Sequence, residues 1–417
     1  MPWLILLVAL GASVHATPVR AAGRLYLPIA FVPSPKPTPT HVPSPTWEWL
    51  TPTPAPTLAV RRSRDFTDPR TVKGVAADPK TGDLWAATYG GVVHWTADGA
   101  RGEVFTTGDG LPENAVTAVT VAGDGRVVVG TESGYGAVRS ADGRWEGFEV
   151  LADPRAASID PGFRRVSRIQ TLAVDTAGVA WFGTFNGVAA RHPDGAWEHP
   201  PWPNPLQVAV PSVGAGPDGS VWMGTMFLPD PDGDGLNPQQ ERIVVHRADG
   251  TWQWFNIRQG LRGSYWADVA VAPNGSVWAL AESTMMDDLG NWLPWIERFL
   301  PGEAKWSTPD LGDLGVVIRS GGVLGQAHAM ALDAAGRPWF LSEDAVLVPT
   351  DADALRWKLE PFQGAWGSRE DELTIGPDGT AWLGTSEHVV RRGSDGAYRR
   401  LVAPGLPSGD VRSVVAD

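Results

Sequence analysis

Residues 171–189 read TLAVDTAGVAWFGTFNGVA, and this stretch decides the fold. An apolar run leads into a turn from Asp175 to Gly178, and a second run carries Trp181 before the Gly-Thr pair 183–184. Asp-Gly turns between apolar runs are strong hairpin signals, and the two-residue type I′ turn is the form that such pairs favour. The segment therefore predicts two antiparallel strands with a tryptophan in the second.

The same unit recurs seven times along the chain. Its turns begin at Asp78, Asp124, Asp175, Asp218, Asn274, Asp333 and Asp378. The position of Trp181 is held in chain order by Trp85, Val128, Trp181, Trp222, Trp278, Trp339 and Trp382. These positions are roughly 40 to 60 residues apart, a period typical of propeller blades. We expect the tryptophans to pack between neighbouring units, because they keep a fixed place inside a strand.

A second turn followed by an aromatic residue lies inside most units. It occurs at Asp142, Asp194, Asp249 and Asp395. Two hairpins give four strands in each unit, which predicts an all-β, seven-bladed β-propeller of four-stranded antiparallel blades over residues 64–417. A linear solenoid is the alternative, but four antiparallel strands in each repeat suit it poorly. Residues 411–417 read as the first strand of a further unit, and we expect the chain to continue beyond them; the alternative is that they pack outside the seven-bladed ring.

Composition excludes several other classes of protein. Glycine (49) and proline (37) are too frequent for a helical bundle, since both disfavour helix interiors. The absence of cysteine excludes disulfides, thiolate metal sites and a cysteine nucleophile. A net charge of −13 argues against nucleic acid as a partner, because phosphate binding requires clustered Lys and Arg.

The N-terminal region predicts export. Residues 1–22 contain a short apolar core followed by small residues, as in a signal peptide, although no Lys or Arg precedes the core and a signal anchor is the alternative. Residues 23–63 form a Pro/Thr-rich linker that we expect to be disordered and extended. No membrane span is expected beyond the N-terminal signal, and the predicted location is secreted or cell-surface.

A family resemblance follows from the motifs. The repeat, with Gly-Leu-Pro at 110–112 and 405–407, resembles the two-component-regulator propeller repeat. The units around Leu280 and Leu341 depart from it, because the Gly-Thr pair is missing there. The resemblance implies a seven-bladed sensor domain outside the membrane, of a kind often joined to a cytoplasmic kinase.

The long connections predict a binding face. Segments 226–241, 282–295, 151–166 and 307–323 should all lie on one face, because the chain alternates between faces at every strand. The candidate ligand-binding residues near that face are Tyr89, Glu132, Tyr135, Phe185, Glu282, Trp292, Glu343 and Glu387. Aromatic rings and carboxylates can receive a sugar or a cationic ligand, so the expected partner is an extracellular carbohydrate, peptide or protein. Ordinary turn residues are the alternative interpretation.

A calcium loop is predicted in the fourth unit. Residues 230–241 place carboxylates at positions 1, 3, 5 and 12 and glycine at position 6, which is the spacing of an EF-hand loop. The candidate ligands are Asp230, Asp232, Asp234, the carbonyl of Leu236, and Glu241. The loop resembles those of dockerin modules and thrombospondin type 3 repeats. A turn insertion without metal is the alternative.

No established catalytic motif is present. The sequence contains no HExxH, GxSxG or phosphate-binding loop. His94, Glu132, His328 and His388 are the candidates for a central-channel site. The sequence favours an exported ligand-binding or sensor propeller, and a hydrolase or lyase with its active site at the channel is the alternative.

Overall fold

The computed structural model describes residues 71–140, 142–155, 166, 168–201, 208–226, 242–256, 259–261, 266–281, 295–309, 327–342, 345–351, 356–361, 372–385 and 388–401. These residues form 27 strands and one short 3-10 helix, Thr107–Asp109. The predicted signal peptide, the linker and residues 411–417 lie outside them and stay predictions. No helix within these ranges is long and apolar enough to cross a membrane.

The strands form seven antiparallel sheets, each built from consecutive strands. Blades one to three are β1(Val72–Ala77), β2(Leu84–Thr88), β3(Gly91–Trp95), β4(Gly102–Phe105); β5(Val116–Val121), β6(Val127–Thr131), β7(Tyr135–Arg139), β8(Trp145–Glu149); and β9(Ile169–Val174), β10(Ala180–Thr184), β11(Gly187–Arg191), β12(Trp197–Glu198).

Blades four and five are β13(Ala209–Ala215), β14(Val221–Met226), β15(Arg242–His246), β16(Trp252–Phe255); and β17(Trp266–Val271), β18(Val277–Ala281), β19(Trp295–Phe299). Blades six and seven are β20(Ala327–Leu332), β21(Pro338–Ser342), β22(Ala345–Pro349), β23(Trp357–Pro361); and β24(Glu372–Ile375), β25(Ala381–Gly384), β26(Val389–Arg392), β27(Tyr398–Leu401). In blade five, an isolated bridge between Arg298 and Ser307 takes the place of a fourth strand within the described residues.

The blades close into a ring around a central channel. The first strands of successive blades contact one another, and β24 contacts β1. The closure is direct, since the amide of Val72 donates a hydrogen bond to the carbonyl of Thr385 over 3.2 Å. Trp382 of blade seven also shares an apolar cluster with Val72, Leu84 and Trp95 of blade one. The predicted seven-bladed propeller is confirmed.

The repeated tryptophans pack between blades, as the repeat predicts. Trp181 of blade three lies 6.0 Å from Trp252 of blade four, and Trp222 of blade four lies 5.9 Å from Trp306 beside blade five. Both tryptophans are buried. The aspartate of the repeat has a structural role as well, because Asp175 accepts a hydrogen bond from the indole Nε1 of Trp181 at 3.0 Å.

The Asp-Gly turns differ from the predicted type I′ form. In the turn before β14, the amide of Gly219 donates to the carbonyl of Gly216, and the amide of Gly216 donates to that of Ser220. These bonds define a three-residue loop in which Gly219 alone needs a positive φ, here 81°. The predicted turn type was wrong, because an Asp-Gly pair suits both the two-residue and the three-residue loop. Here the aspartate side chain stabilises the turn, since the carboxylate of Asp218 accepts a hydrogen bond from the amide of Ser220.

Candidate functional site

The strand order gives the propeller two unlike faces. One, which we call the hairpin face, holds the Asp-Gly turns that join first to second and third to fourth strands. The other, the connection face, holds the turns between second and third strands and the links between blades. Two of the long segments singled out in the sequence, 227–241 and 282–294, lie outside the described residues; the strand ends that they join, in β14–β15 and β18–β19, lie at the connection face.

A buried hydroxyl closes the turns of the connection face. The Thr184 hydroxyl donates to the carbonyl of Gly187 at 2.9 Å and accepts from the amide of Asn186 at 3.0 Å. Thr88 makes the same pair of bonds in blade one. The threonine of the Gly-Thr pair is therefore a turn cap. The residue that follows it is pushed to the tip of the turn, so Phe185 is 50% exposed and Tyr89 is 39% exposed.

Tyr89 and Lys73 form the blade-one part of this face. The ammonium of Lys73 lies 4.8 Å from the centre of the Tyr89 ring, within cation–π range. The amide of Tyr89 donates to the carbonyl of Thr71 at 3.3 Å, which fixes the turn beside the first strand. A cationic group and an accessible ring thus stand together at the inner edge of the face.

Glu132 faces Arg168 across the boundary between blades two and three. The Nε atom of Arg168 lies 3.4 Å from Oε2 of Glu132, and both side chains are partly exposed. These two atoms, and Nε2 of Gln170, are buried and have no hydrogen-bond partner among the described residues. The Glu132 and Arg168 atoms face each other as a loose ion pair, which links blades two and three at this face.

The first strands carry bulges close to this face. The pairing register shifts between Val72 and Gly74, which leaves Lys73 as the extra residue. By the same shift, Gln170 and His328 are the extra residues of blades three and six. Bulges redirect side chains and are frequent at the rims of barrels and beside active sites. Here they place Lys73, Gln170 and His328 at the mouth of the channel.

At the register position that follows the bulges, four of the seven first strands carry a polar residue. The register equivalents are Gly74, Ala118, Thr171, Ser212, Asp268, Ala329 and Glu372. The next position is Val75, Val119, Leu172, Val213, Val269, Met330 or Leu373. The residues at this next position are apolar, and most of them are buried in the clusters between blades.

Asp268 links three blades through hydrogen bonds. Its Oδ1 accepts from the hydroxyl of Ser212 in blade four at 3.0 Å, and its Oδ2 accepts from the amide of Met330 in blade six at 3.1 Å. The Ser212 hydroxyl in turn accepts from the amide of Val269 at 2.7 Å. Burial raises the pKa of Asp268 to about 6, against the opposing effect of these hydrogen bonds.

The hairpin face offers less to a ligand because its carboxylates serve their own turns. Asp98 accepts from the Thr96 hydroxyl at 2.6 Å, and this bond lowers the pKa of Asp98. Asp249 accepts from the Thr251 hydroxyl at 2.6 Å with the same effect on its pKa.

The candidate binding residues predicted from the sequence fall into two groups, those that the structure describes and those that lie outside the described residues. Tyr89, Glu132, Tyr135 and Phe185 lie on the connection face. Glu282, Trp292, Glu343 and Glu387 lie outside the described residues, as do the calcium-loop residues Asp230, Asp232, Asp234, Leu236 and Glu241. Among the residues that are described, no cluster of His, Asp or Glu could hold a metal ion.

The candidate histidines do not form one site. His94 is hydrogen-bonded to Asp83 over 3.1 Å and stacked on Trp85, near the hairpin end of its strand. His388 lies in a turn of the connection face, where burial and then the charge of Arg400 lower its pKa to about 4. His328 is the candidate that lies at the channel mouth.

Sequence reasoning missed Lys73, Arg168, Gln170 and Asp268. A usable signal was present, since each is a polar residue in or beside a first strand that is otherwise apolar, as in WADVAV at 266–271. The repeat pattern gave these positions no weight because they vary from blade to blade.

The fold has many counterparts among solved structures. Hydrazine synthase from Kuenenia stuttgartiensis aligns with 81% of this chain and 99% of its own at a TM-score of 0.56 and 11% identity. The extracellular domain of BT3049 from B. thetaiotaomicron, described as a hybrid two component system, aligns with 80% of this chain and 40% of its own, with a TM-score of 0.55 and 15% identity. Virginiamycin B lyase from Staphylococcus aureus aligns with 79% of this chain and 95% of its own, with a TM-score of 0.51 and 16% identity.

No family model matches the chain, and no curated protein matches it. At identities of 11 to 16%, the likeness to these structures is one of fold. What the chain shares with sensor domains and with a lyase is therefore the propeller itself.

Proposed function

We propose that this chain is an exported ligand-binding propeller of the sensor type, which binds an extracellular carbohydrate, peptide or protein on its connection face. One observation carries the proposal. Three of the four exposed large hydrophobic side chains in the described part of the chain, Tyr89, Leu151 and Phe185, lie on that face. Exposed apolar side chains beside polar groups are typical of interaction sites.

Two further features support the same face. The Glu132–Arg168 ion pair lies there with both side chains partly exposed, which puts charged groups beside the exposed apolar side chains. The long connections between strands also meet this face, and long loops on a rigid scaffold commonly carry binding residues. The propeller supplies the rigid scaffold, and the variable mouth supplies specificity.

Calcium is part of this proposal. The spacing of carboxylates in 230–241 suits a hard cation that takes six to eight oxygen ligands. The segment joins β14 to β15, and a bound ion would order this connection. Its role in the proposal is structural.

A thermal-shift screen of sugars, peptides and divalent ions tests the binding function. A ligand of the connection face raises the melting temperature of the wild-type protein, and Arg168→Gln removes that rise. Arg144→Gln is the matched control, since Arg144 forms a comparably loose ion pair, 3.5 Å from Asp142, on the hairpin face. A ligand that responds equally to both substitutions would contradict the assignment of the face.

A second function has one specific observation in its favour. Asp268 and His328 lie on the first strands of neighbouring blades, and a carboxyl group with a pKa near 6 suits proton transfer at neutral pH. This arrangement fits a propeller hydrolase or lyase. Virginiamycin B is a suitable probe: turnover that is lost in Asp268→Asn would establish the enzyme, and the ligand-binding proposal expects no turnover.

A further inference from the structure

The turn between the first two strands of blade five begins with a different residue from its six counterparts. Asparagine stands at position 274, whereas aspartate begins the corresponding turn of every other blade. The next residue is Gly275, so this turn contains an Asn-Gly pair. Asparagine loses ammonia most readily in this dipeptide, because glycine has no side chain to keep its amide nitrogen away from the carboxamide.

The turn holds the carboxamide of Asn274 beside the amide of Gly275. Oδ1 of Asn274 accepts a hydrogen bond from the amide of Ser276 at 2.9 Å, which forms an Asx turn. The same oxygen accepts from the hydroxyl of Ser276 at 2.7 Å. An Asx turn folds the side chain back over the peptide that follows it, so Cγ of Asn274 is kept close to the nitrogen of Gly275. Asn274 is also exposed, so water can reach the carboxamide.

The two hydrogen bonds from Ser276 favour the reaction itself. In deamidation, the nitrogen of Gly275 forms a bond to Cγ of Asn274, and negative charge develops on Oδ1. Donors at about 2.7–3.1 Å from such an oxygen stabilise the transition state, as in an oxyanion hole. The amide and the hydroxyl of Ser276 both lie within this range.

The remaining steps need only water. The C–N bond of the carboxamide breaks, and ammonia leaves with the hydrogen that the Gly275 amide has lost. The product is a cyclic succinimide. Water opens the ring by adding a hydroxyl group to either carbonyl carbon and returning a hydrogen to the ring nitrogen. Addition at Cγ gives aspartate, and addition at the main-chain carbonyl gives isoaspartate.

The chain contains a close model of the aspartate product. Residues 217–222 read PDGSVW, and residues 273–278 read PNGSVW. Oδ1 of Asp218 accepts from the amide of Ser220 at 3.0 Å and from its hydroxyl at 2.6 Å, the same two bonds as in the blade-five turn. The glycines of the two turns have nearly equal φ, 81° and 80°. Aspartate at position 274 would therefore keep the turn, with one more negative charge on the hairpin face.

The second Asn-Gly pair of the chain, at 186–187, is held differently. The amide of Gly187 donates to the carbonyl of Val208 at 2.6 Å, and Gly187 is buried. Attack by its nitrogen would require this buried bond to break, which is costly. The amide of Gly275 is also hydrogen-bonded, to Ala272 at 2.8 Å, but Gly275 is partly exposed and water can replace that bond. Asn186 should therefore react more slowly than Asn274.

We propose that Asn274 is a site of spontaneous deamidation, promoted by the amide and the hydroxyl of Ser276, and that its aspartate form preserves the turn. The modification lies on the hairpin face and is independent of binding at the connection face.

Peptide mapping by mass spectrometry tests the proposal on the full chain. The purified protein is incubated at mildly alkaline pH, and the fractions of aspartate and isoaspartate at positions 186 and 274 are followed with time. In the folded protein, Asn274 should react at least about tenfold faster than Asn186, because only the second reaction must break a buried hydrogen bond. In urea, where the chain is unfolded, the two rates should agree within about twofold, since both pairs are then exposed.

Serine substitutions separate the role of the hydroxyl from that of the dipeptide. Ser276→Ala should slow the reaction of Asn274 by about fivefold, since a hydrogen bond to a charged oxygen is about twice as strong as one to a neutral oxygen. Ser276→Thr should keep the wild-type rate, because Thr251 places its hydroxyl 2.6 Å from Oδ1 of Asp249 in a similar turn. Ser220→Ala is the matched control and should leave the rate at position 274 unchanged.

Three results would overturn the proposal. Equal rates at Asn186 and Asn274 in the folded protein would show that the blade-five turn does not favour the reaction. A rate at Asn274 that Ser276→Ala leaves unchanged or increases would remove the role of the hydroxyl. The Asn274→Asp protein should unfold at the same urea concentration as wild type, and a clear decrease in that midpoint would show that aspartate does not preserve the turn.

Discussion

The stability of this propeller should fall as Asp268 ionises. Asp268 lies on the first strand of blade five and accepts hydrogen bonds from Ser212 and Met330 of the two neighbouring blades. Burial nevertheless raises its pKa to about 6 from the ordinary 3.8. The folded protein therefore favours the neutral carboxyl more strongly than the unfolded chain does.

The size of the effect follows from linkage. A pKa that is higher in the folded state means that the folded protein binds more protons between about pH 4 and 6, so the free energy of unfolding decreases as pH rises through that window. A difference of about two units corresponds to about 3 kcal/mol, present below pH 4 and lost above pH 6. Asparagine cannot ionise, so Asp268→Asn should remove this dependence.

Two measurements check the prediction. The ¹³C shift of the Asp268 carboxyl in the native protein should titrate with a midpoint near 6. Urea unfolding of wild type and of Asp268→Asn should be measured from pH 4.5 to 7.5. As pH rises across this range, the free energy of unfolding of wild type should decrease relative to that of the variant by about 2 kcal/mol. The difference between the two proteins isolates this group from all other carboxyls. A constant difference across the range would refute the reasoning.

Three further predictions concern packing and calcium. Gly224→Ala should cost about 1–3 kcal/mol in urea unfolding, because a Cβ there would meet Cβ of Trp266 at 2.8 Å, whereas Gly123→Ala, which has open space, should cost less than about 0.5. Trp181→Ala should cost about 3–5 kcal/mol, since the ring is buried between blades, and an equal loss in the surface variant Leu359→Ala would contradict this. Millimolar calcium should raise the melting temperature, and EDTA or Asp232→Ala should abolish the rise; no shift would leave 230–241 without a metal.

The fold could be predicted because its signals are local and repeated. In each blade, a few adjacent residues predict the same hairpin. Because the unit occurs seven times, the fold can be predicted even though one unit matches the pattern poorly, with Val128 in place of tryptophan. The alternation of faces follows from strand order alone, so the position of Tyr89 and Phe185 on the connection face could be predicted with it. These inferences need no knowledge of which blades touch.

The channel mouth could not be predicted in the same way. The role of Asp268 depends on its hydrogen bonds with Ser212 and Met330, which are more than 50 residues away in the sequence on either side. The bulges at Lys73 and Gln170 leave no reliable trace in a single sequence. The pattern that reveals the propeller also hides its site, because a site consists of the positions where the blades differ.

The blade that departs most clearly from the repeat shows how such differences are tolerated. The glycine of the Gly-Thr pair faces the first strand of the next blade: a Cβ on Gly130 would meet the side chain of Ile169 at 2.4 Å. Blade five has Leu280 in this position. The first residue of the following blade is Ala327, and both side chains are buried in one cluster.

The sizes of the two facing residues compensate for each other across the interface between blades. Glycine stands opposite a large side chain in blade two, and leucine stands opposite alanine in blade five, so each boundary is filled to a similar volume. Blade one is intermediate, with Ala87 and Val116 in one cluster. The absence of the Gly-Thr motif in blade five is therefore compensated packing within an intact blade, which explains why the ring closes although the repeat weakens.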